Sequence, residues 1–286
     1  MSTTKGTLFA HKESLRIRGE VIELSTPKVM GILNITPDSF VESSRHTRVS
    51  DVLKGAEKML DDGADFIDIG AYSSRPGAQD ITIEEEWSRL EKILGPLRAE
   101  FGSSFISIDT FRGVVAERAL NEGADLINDI SGGADPKMFS LIAEHQCPYV
   151  LMHMQGTPQT MQSNPVYEDV VREVAIFFSE KIVELRRLGV SDVLLDVGFG
   201  FGKTLEHNYT LLNELKHFDF LGYPMLVGIS RKSMINKVLE ISSKDALNGT
   251  TVLNTMALER GAKILRVHDV KEAAEAVQLF KALRAD

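Results

Sequence analysis

The sequence predicts an α/β protein, a closed (β/α)8 TIM barrel, on three observations. Short apolar, β-branched runs recur eight times; helical patterns separate every pair of them; and a helix–glycine–strand junction repeats along the chain. With 286 residues the chain is somewhat longer than such a barrel usually is.

Residues 14–28, SLRIRGEVIELSTPK, read as a hairpin turning at Arg18-Gly19-Glu20. Residues 1–28 thus form a tail and hairpin capping the N-terminal end of the barrel, and 29–286 the barrel domain. The strand-like runs fall at roughly 29–33, 65–69, 105–109, 126–130, 149–153, 193–197, 225–229 and 264–268. They are apolar and short, as expected of parallel strands buried on both faces. Asp62-Gly63-Ala64-Asp65 precedes the second run, Glu122-Gly123-Ala124-Asp125 the fourth and Arg260-Gly261-Ala262-Lys263 the eighth. Gly189-Val190-Ser191-Asp192 is a looser copy before the sixth. Each glycine follows helical apolar spacing, such as Val52, Leu53, Ala56, Met59 and Leu60, and glycine suits a helix end because it takes φ > 0 without a Cβ clash. Thr82 and Glu85 have capping-box spacing. Segments 35–50 and 71–87 lack helical spacing and read as long, lid-like connections. The competing architecture is an open doubly wound sheet.

With 43% hydrophobic and 26% charged residues, the chain can bury a substantial core beneath a soluble surface. A net charge of −9 opposes a broad nucleic-acid face, though a few local cations still admit an anionic small substrate. Cys147 is the only cysteine, so no intrachain disulfide can form, and its apolar surroundings predict a buried structural thiol. No apolar run approaches the roughly 20 residues of a membrane span, and no signal-peptide pattern opens the chain. A cytosolic enzyme is expected.

Polar residues collect at the C-terminal ends of the runs. Asn34 follows the first, Asp68 lies in the second, Asp109 ends the third, and Asn128 and Asp129 lie in the fourth. His153 ends the fifth, Asp196 lies in the sixth, Ser230, Arg231 and Lys232 follow the seventh, and Arg266 and His268 occupy the eighth. Each alone reads equally well as a structural hydrogen-bonding group. Their recurrence at one end of a barrel whose interior should be apolar points to an active site at that mouth. Aspartates and an asparagine suit a flat heterocycle rich in N–H groups. Arg266, His268 and helix-start N–H groups suit a phosphate, and Asn34 offers a hard oxygen to a magnesium ion that keeps waters and phosphate ligands.

Gly198 to Lys203, GFGFGK, is a false P-loop. A Walker loop ending at Gly202-Lys203-Thr204 needs glycine at 197, where valine stands, and a sixth barrel strand is the wrong context. Phe199 and Phe201 can instead wall a pocket, with core packing the alternative for Phe199. His11, His46, His207 and His217 read as surface residues and His145 as a helix end; His268 is the functional candidate among them. No histidine or cysteine spacing suggests zinc.

The ordered motifs resemble the dihydropteroate synthase family. They are GILNITPDSF (31–40), IDIGAYSSRPGA (67–78), SIDTF (107–111), INDISGG (127–133), LMHMQGTP (151–158), LLDVGFGFGK (194–203), GISRKS (228–233) and RVHDV (266–270). The resemblance implies that Asn34, Arg266 and His268 serve magnesium and pyrophosphate, joined by Arg75. It implies that Asp109, Asn128, Asp196 and Lys232 hold a pterin, with Asp68 and Gly228 lining the site and Met152 packing on the ring. Ser233 would take the carboxylate of p-aminobenzoate, with Phe40, Pro76 and Phe201 around its ring and Ser74 in place of the usual threonine. Catalysis would rest on Asn34, Lys232, Arg266 and His268, in a homodimer. The sequence departs from the family at Val41-Glu42-Ser43-Ser44, at Tyr72 and Ser74, and at Val197. A pterin-dependent corrinoid methyltransferase and a non-catalytic pterin-binding protein are the alternatives.

Overall fold

The computed structural model describes residues 12–35, 45–74, 79–161 and 165–284. The chain enters through β1 (Ser14–Ile17) and β2 (Glu20–Glu23), an antiparallel pair in which Ile17 faces Glu20. The turn between them has φ of 51° at Arg18 and 80° at Gly19. Two positive φ values in a two-residue turn match the right-handed twist of the flanking strands.

Eight parallel strands follow: β3 (Lys28–Asn34), β4 (Phe66–Gly70), β5 (Phe105–Asp109), β6 (Leu126–Asp129), β7 (Tyr149–Met152), β8 (Val193–Asp196), β9 (Met225–Val227) and β10 (Ala262–Val267). They pair in chain order, and β10 returns to pair with β3, aligning Arg266 with Met30. That closing ladder excludes the open doubly wound sheet. The observed strands agree with the predicted runs to within one or two residues.

Helices α1 (Arg45–Asp61), α2 (Ile83–Glu100), α3 (Gly113–Asn121), α4 (Met138–His145), α5 (Val170–Arg187) and α6 (Leu205–Asn213) fill the first six crossovers. The seventh carries α7 (Ser233–Leu239) and α8 (Leu247–Glu259), and α9 (Val270–Leu283) closes the chain. Gly63, Gly123, Gly189 and Gly261 all have positive φ, the conformation for which the junction pattern selects glycine.

Three expectations need correction. Helix reaches into both long connections, since α1 begins at Arg45 and α2 at Ile83, leaving only 35–44 and 71–82 between strand and helix. Thr82 caps α2, where Glu84, Glu85 and Glu86 complement the positive end of the helix dipole. The box is half made: Thr82 Oγ1 accepts from the Glu85 N–H at 3.1 Å, but the Glu85 carboxylate takes Arg89 at 2.6 Å. His207 is half-buried rather than on the surface, because its Nδ1 accepts from the Thr204 N–H at 3.2 Å and completes a capping box on α6. Cys147 is buried as expected, and burial pushes its thiol up to about 12, which removes it as a nucleophile.

Candidate active site at the barrel mouth

Strand periodicity builds the site. Successive side chains point to opposite faces, so Ile67 and Ile69 meet the helices while Phe66, Asp68 and Gly70 face the barrel axis. Met30, Phe66, Leu126, Val150, Leu194, Leu226 and Ile264 form an apolar floor, closed from below by Leu15, Ile17 and Leu24 of the hairpin segment. Two residues further along most of these strands the inward positions turn polar: Asp68, Asn128, Asp196 and Arg266, with Ser107 on β5, Met152 on β7 and Gly228 just past β9. Asn34, Asp109 and His268 lie one inward position higher.

Arg266 organises this ring. Its Nε donates to Asp68 Oδ2 at 2.6 Å and its Nη2 to Asp109 Oδ2 at 2.6 Å. Ser107 Oγ donates to Asp68 Oδ1 at 2.5 Å, and Asn128 Nδ2 to Asp68 Oδ2 at 3.1 Å. Asp68 is 0% exposed. It therefore lies low in the ring, where it orients Arg266 and Asn128.

One guanidinium serves two carboxylates here, and the electrostatics follow. Burial pushes the Asp109 carboxyl up to about 7; Arg266 opposes the shift and Asp68 adds to it. For Arg266 burial works against the charge, but Asp68 and Asp109 outweigh it and hold the side chain more firmly protonated. Asp196 accepts the Gly198 N–H at 2.8 Å, and burial raises its carboxyl against the pull of Lys232. Lys232 caps α7. Its ammonium donates to the Phe199 carbonyl and lies 4.4 Å from the Phe201 ring centre. Burial pushes it down to about 8, with Asp196 opposing.

Among the other expected residues, Asn34 is half-buried at the end of β3, and its Oδ1 would stand 3.2 Å from a Cβ on Gly70. Met152 is buried at the end of β7, Phe201 is half-buried, and Ser233 is exposed as the first residue of α7. A Cβ on Gly228 would stand 3.9 Å from both Asp196 Oδ2 and Arg266 Cβ, so glycine leaves the space between those side chains open. His268 Nδ1 is 3.0 Å from Ser230 Oγ, which also accepts the His268 N–H at 3.1 Å. Ser74 is half-buried after β4. Phe40, Arg75 and Pro76 lie outside the described residues.

Sequence reasoning missed several contacts. Arg231 donates to both oxygens of Asp269, at 2.9 and 2.5 Å, stapling the loop of Lys232 to that of His268; bidentate geometry suits Arg and not Lys. Tyr72, a departure from the family pattern, stacks edge-on against Phe111 at 5.0 Å and accepts from Gln159 Nε2 at 2.8 Å. Lys203 is 3% exposed, which removes the P-loop reading on structural grounds as well. Among the described residues, no group of three or more His, Cys, Asp and Glu side chains could hold a metal by itself.

Fold and site together define a barrel enzyme of the pterin-binding class, and the family model described as pterin binding enzyme matches residues 30–268. The dihydropteroate synthase of Escherichia coli (strain K12) is 43% identical over 267 residues, 93% of this chain and 94% of that one. That of Haemophilus influenzae is 41% identical over 270 residues, 94% and 98% of the two chains. Among solved structures, the Yersinia pestis dihydropteroate synthase with a sulfonamide drug gives a TM-score of 0.89 at 40% identity, covering 96% of this chain and 100% of that one. The chain belongs to the dihydropteroate synthase family. Neither the corrinoid methyltransferase nor the non-catalytic reading is favoured by these relatives.

Proposed function

We propose that this protein joins 6-hydroxymethyl-7,8-dihydropterin pyrophosphate to p-aminobenzoate, giving 7,8-dihydropteroate and pyrophosphate. The observation that carries the reading is a ring of hydrogen-bonding groups, Asp109, Asn128, Asp196 and Lys232, beside the Arg266 guanidinium and the His268 imidazole in one barrel mouth. The carboxylates and the Asn128 amide match the N–H groups and acceptors of a pterin. Arg266 spends Nε and Nη2 on Asp68 and Asp109 and keeps its Nη1 hydrogens for a pyrophosphate oxygen.

The reaction is a dissociative substitution at the pterin methylene carbon. The C–O bond to pyrophosphate breaks, and its electron pair leaves with the pyrophosphate, stabilised by Arg266 and His268. The p-aminobenzoate nitrogen then bonds to the carbon and releases a proton. Ser233 at the start of α7 holds the carboxylate of p-aminobenzoate, Phe201 flanks its ring beside Phe40, Pro76 and Ser74, and Met152 backs the pterin. Arg75 joins the pyrophosphate side.

Magnesium fits this site as an ion that arrives with the substrate. Asn34 contributes a single neutral oxygen at the mouth, which suits a cation that keeps waters and phosphate ligands. When bound, it would neutralise charge on the departing pyrophosphate. The protein acts as a cytoplasmic homodimer in this reading, with residues 29–286 as the pterin-binding unit and 1–28 as its capping tail and hairpin. Val238 and Leu239 on α7 and Val252 and Met256 on α8 are exposed apolar side chains on neighbouring helices, which supports the dimer. No helix among the described residues is long and apolar enough to cross a membrane.

With both substrates and magnesium supplied, dihydropteroate and pyrophosphate are expected in equal amounts, and exhaustive chelation is expected to stop turnover. Asn34→Ala should raise the magnesium concentration needed for half-maximal rate about tenfold, the size expected from loss of one ligand contact. Undiminished turnover after chelation would remove the metal from the scheme; pterin binding without product would leave a binding protein.

A further inference from the structure

The glycine-rich loop between β8 and α6 is gripped from two sides, and only one grip belongs to the proposed substrate contacts. On the mouth side, Lys232 donates to the Phe199 carbonyl and lies over the Phe201 ring. On the far side, Lys203 Nζ lies 2.9 Å from the Phe201 carbonyl, 3.2 Å from the His153 carbonyl and 3.0 Å from His153 Nδ1. Three ammonium hydrogens meet three acceptors, which requires His153 to carry its proton on Nε2.

The loop is shaped to accept this grip. A Cβ on Gly198, where φ is 70°, would stand 2.0 Å from the His153 carbonyl oxygen, and one on Gly202, where φ is 61°, 2.5 Å from that of Gln155. Tyr167 adds a donor from its hydroxyl to the Gly202 carbonyl at 2.7 Å. Burial pushes the His153 imidazole down to about 3, with the Lys203 charge adding to the effect, so His153 stays neutral and able to accept. Burial pushes the Lys203 ammonium down to about 7, with Asp196 opposing. Its Nζ is nevertheless enclosed by acceptors from two chain segments, and a buried donor so enclosed is costly to displace, which makes it an effective tether.

We propose that Lys203 is a positioning residue for this reaction: it ties the 198–203 loop to the end of β7 and thereby sets Phe201 and the Phe199 carbonyl on which Lys232 rests. The inference builds on the assignment of Phe201 and Lys232 to p-aminobenzoate and the pterin. Lys203 itself touches neither substrate.

Lys203→Met keeps the length of the stem and removes every donor. It is expected to raise the KM for both organic substrates about tenfold, the effect of losing one buried hydrogen bond's worth of placement. The change in kcat should be smaller, and inhibition by pyrophosphate, which is assigned to Asn34, Arg266 and His268, should not change. Tyr167→Phe removes one neutral hydrogen bond to the same loop and should raise both KM values in the same direction, by about threefold; it decides the matter if Lys203→Met does not fold. A lower kcat with unchanged KM values in both variants would show a merely structural role and overturn the proposal. Wild-type protein without turnover would refute the proposed function and this inference with it. Normal wild-type turnover with KM values unchanged in both variants would refute this inference alone.

Discussion

Arg266→Ala is expected to lower kcat/KM by on the order of a thousandfold or more and to be markedly less stable than the wild-type protein. Two effects combine at this side chain. Removing a donor aimed at developing charge typically costs about a hundredfold to a thousandfold by itself. The same deletion leaves Asp68, which is 0% exposed, and Asp109 facing each other without their shared counter-charge. Breaking a buried pair in this way costs about 3–5 kcal/mol, and partial exposure of Asp109 places the expected loss at the lower end. Asp109, already raised by burial, then relieves the repulsion by taking up a proton, which removes an acceptor from the proposed pterin ring. Arg266→Lys should not restore activity, because an ammonium cannot reproduce the fork that reaches Asp68 through Nε and Asp109 through Nη2. Steady-state kinetics and urea unfolding check the two effects separately. A variant within tenfold of wild-type kcat/KM would show that Arg266 is structural only.

The second large effect is on pH dependence. The Asp109 carboxyl is raised to about 7, chiefly by burial, and the Lys232 ammonium is lowered to about 8 by the same cause. In the proposed function the pterin needs Asp109 ionised to accept its N–H groups and Lys232 protonated to donate. As pH falls below about 7, Asp109 gains a proton and loses acceptor capacity; as pH rises above about 8, Lys232 loses its charge. The free-enzyme profile, read in kcat/KM, should therefore be a narrow bell falling about tenfold per pH unit on either side. Asp68, Asp109, Lys232 and Arg266 interact, so each limb belongs to the cluster rather than to one residue. Asp109→Asn should flatten the acid limb at a lower plateau, and Lys232→Arg should carry the basic limb to higher pH. A profile flat from about pH 6 to 9 would contradict both assignments.

Much of this was legible in the sequence for local reasons. The strands were found because β-branched runs such as FIDIG and VLLDV follow a glycine that ends a helix, and both signals act within a few residues. The polar ring was legible because Asp68, Asn128, Asp196 and Arg266 interrupt runs that a barrel core would keep apolar, at the spacing that turns them inward. What escaped depends on contacts between segments far apart in the chain. Nothing near Lys203 shows that its ammonium ends on His153, fifty residues earlier, and nothing near Asp68 shows that Arg266 covers it from β10. Arg231 and Asp269 likewise meet only because the parallel pairing of β9 with β10 brings their ends side by side. His207 reads as exposed in the sequence because its polar neighbours hide a capping role that exists only once α6 starts at Leu205. The connection lengths were overestimated for a related reason: capping by Thr82 and the burial of Val52 and Ala56 draw helix into segments whose composition is polar.

That a pterin occupies the ring of Asp109, Asn128, Asp196 and Lys232 is tested most directly by calorimetric titration of a pterin into the wild-type protein and into Asp109→Ala. The wild-type protein should bind it, and the variant should bind it more weakly by about 1–3 kcal/mol, the usual cost of leaving a buried partner unpaired. Folding of the variant is checked in the same sample by its circular dichroism. Equal affinity in the two folded proteins would mean that the pterin is held somewhere other than this ring.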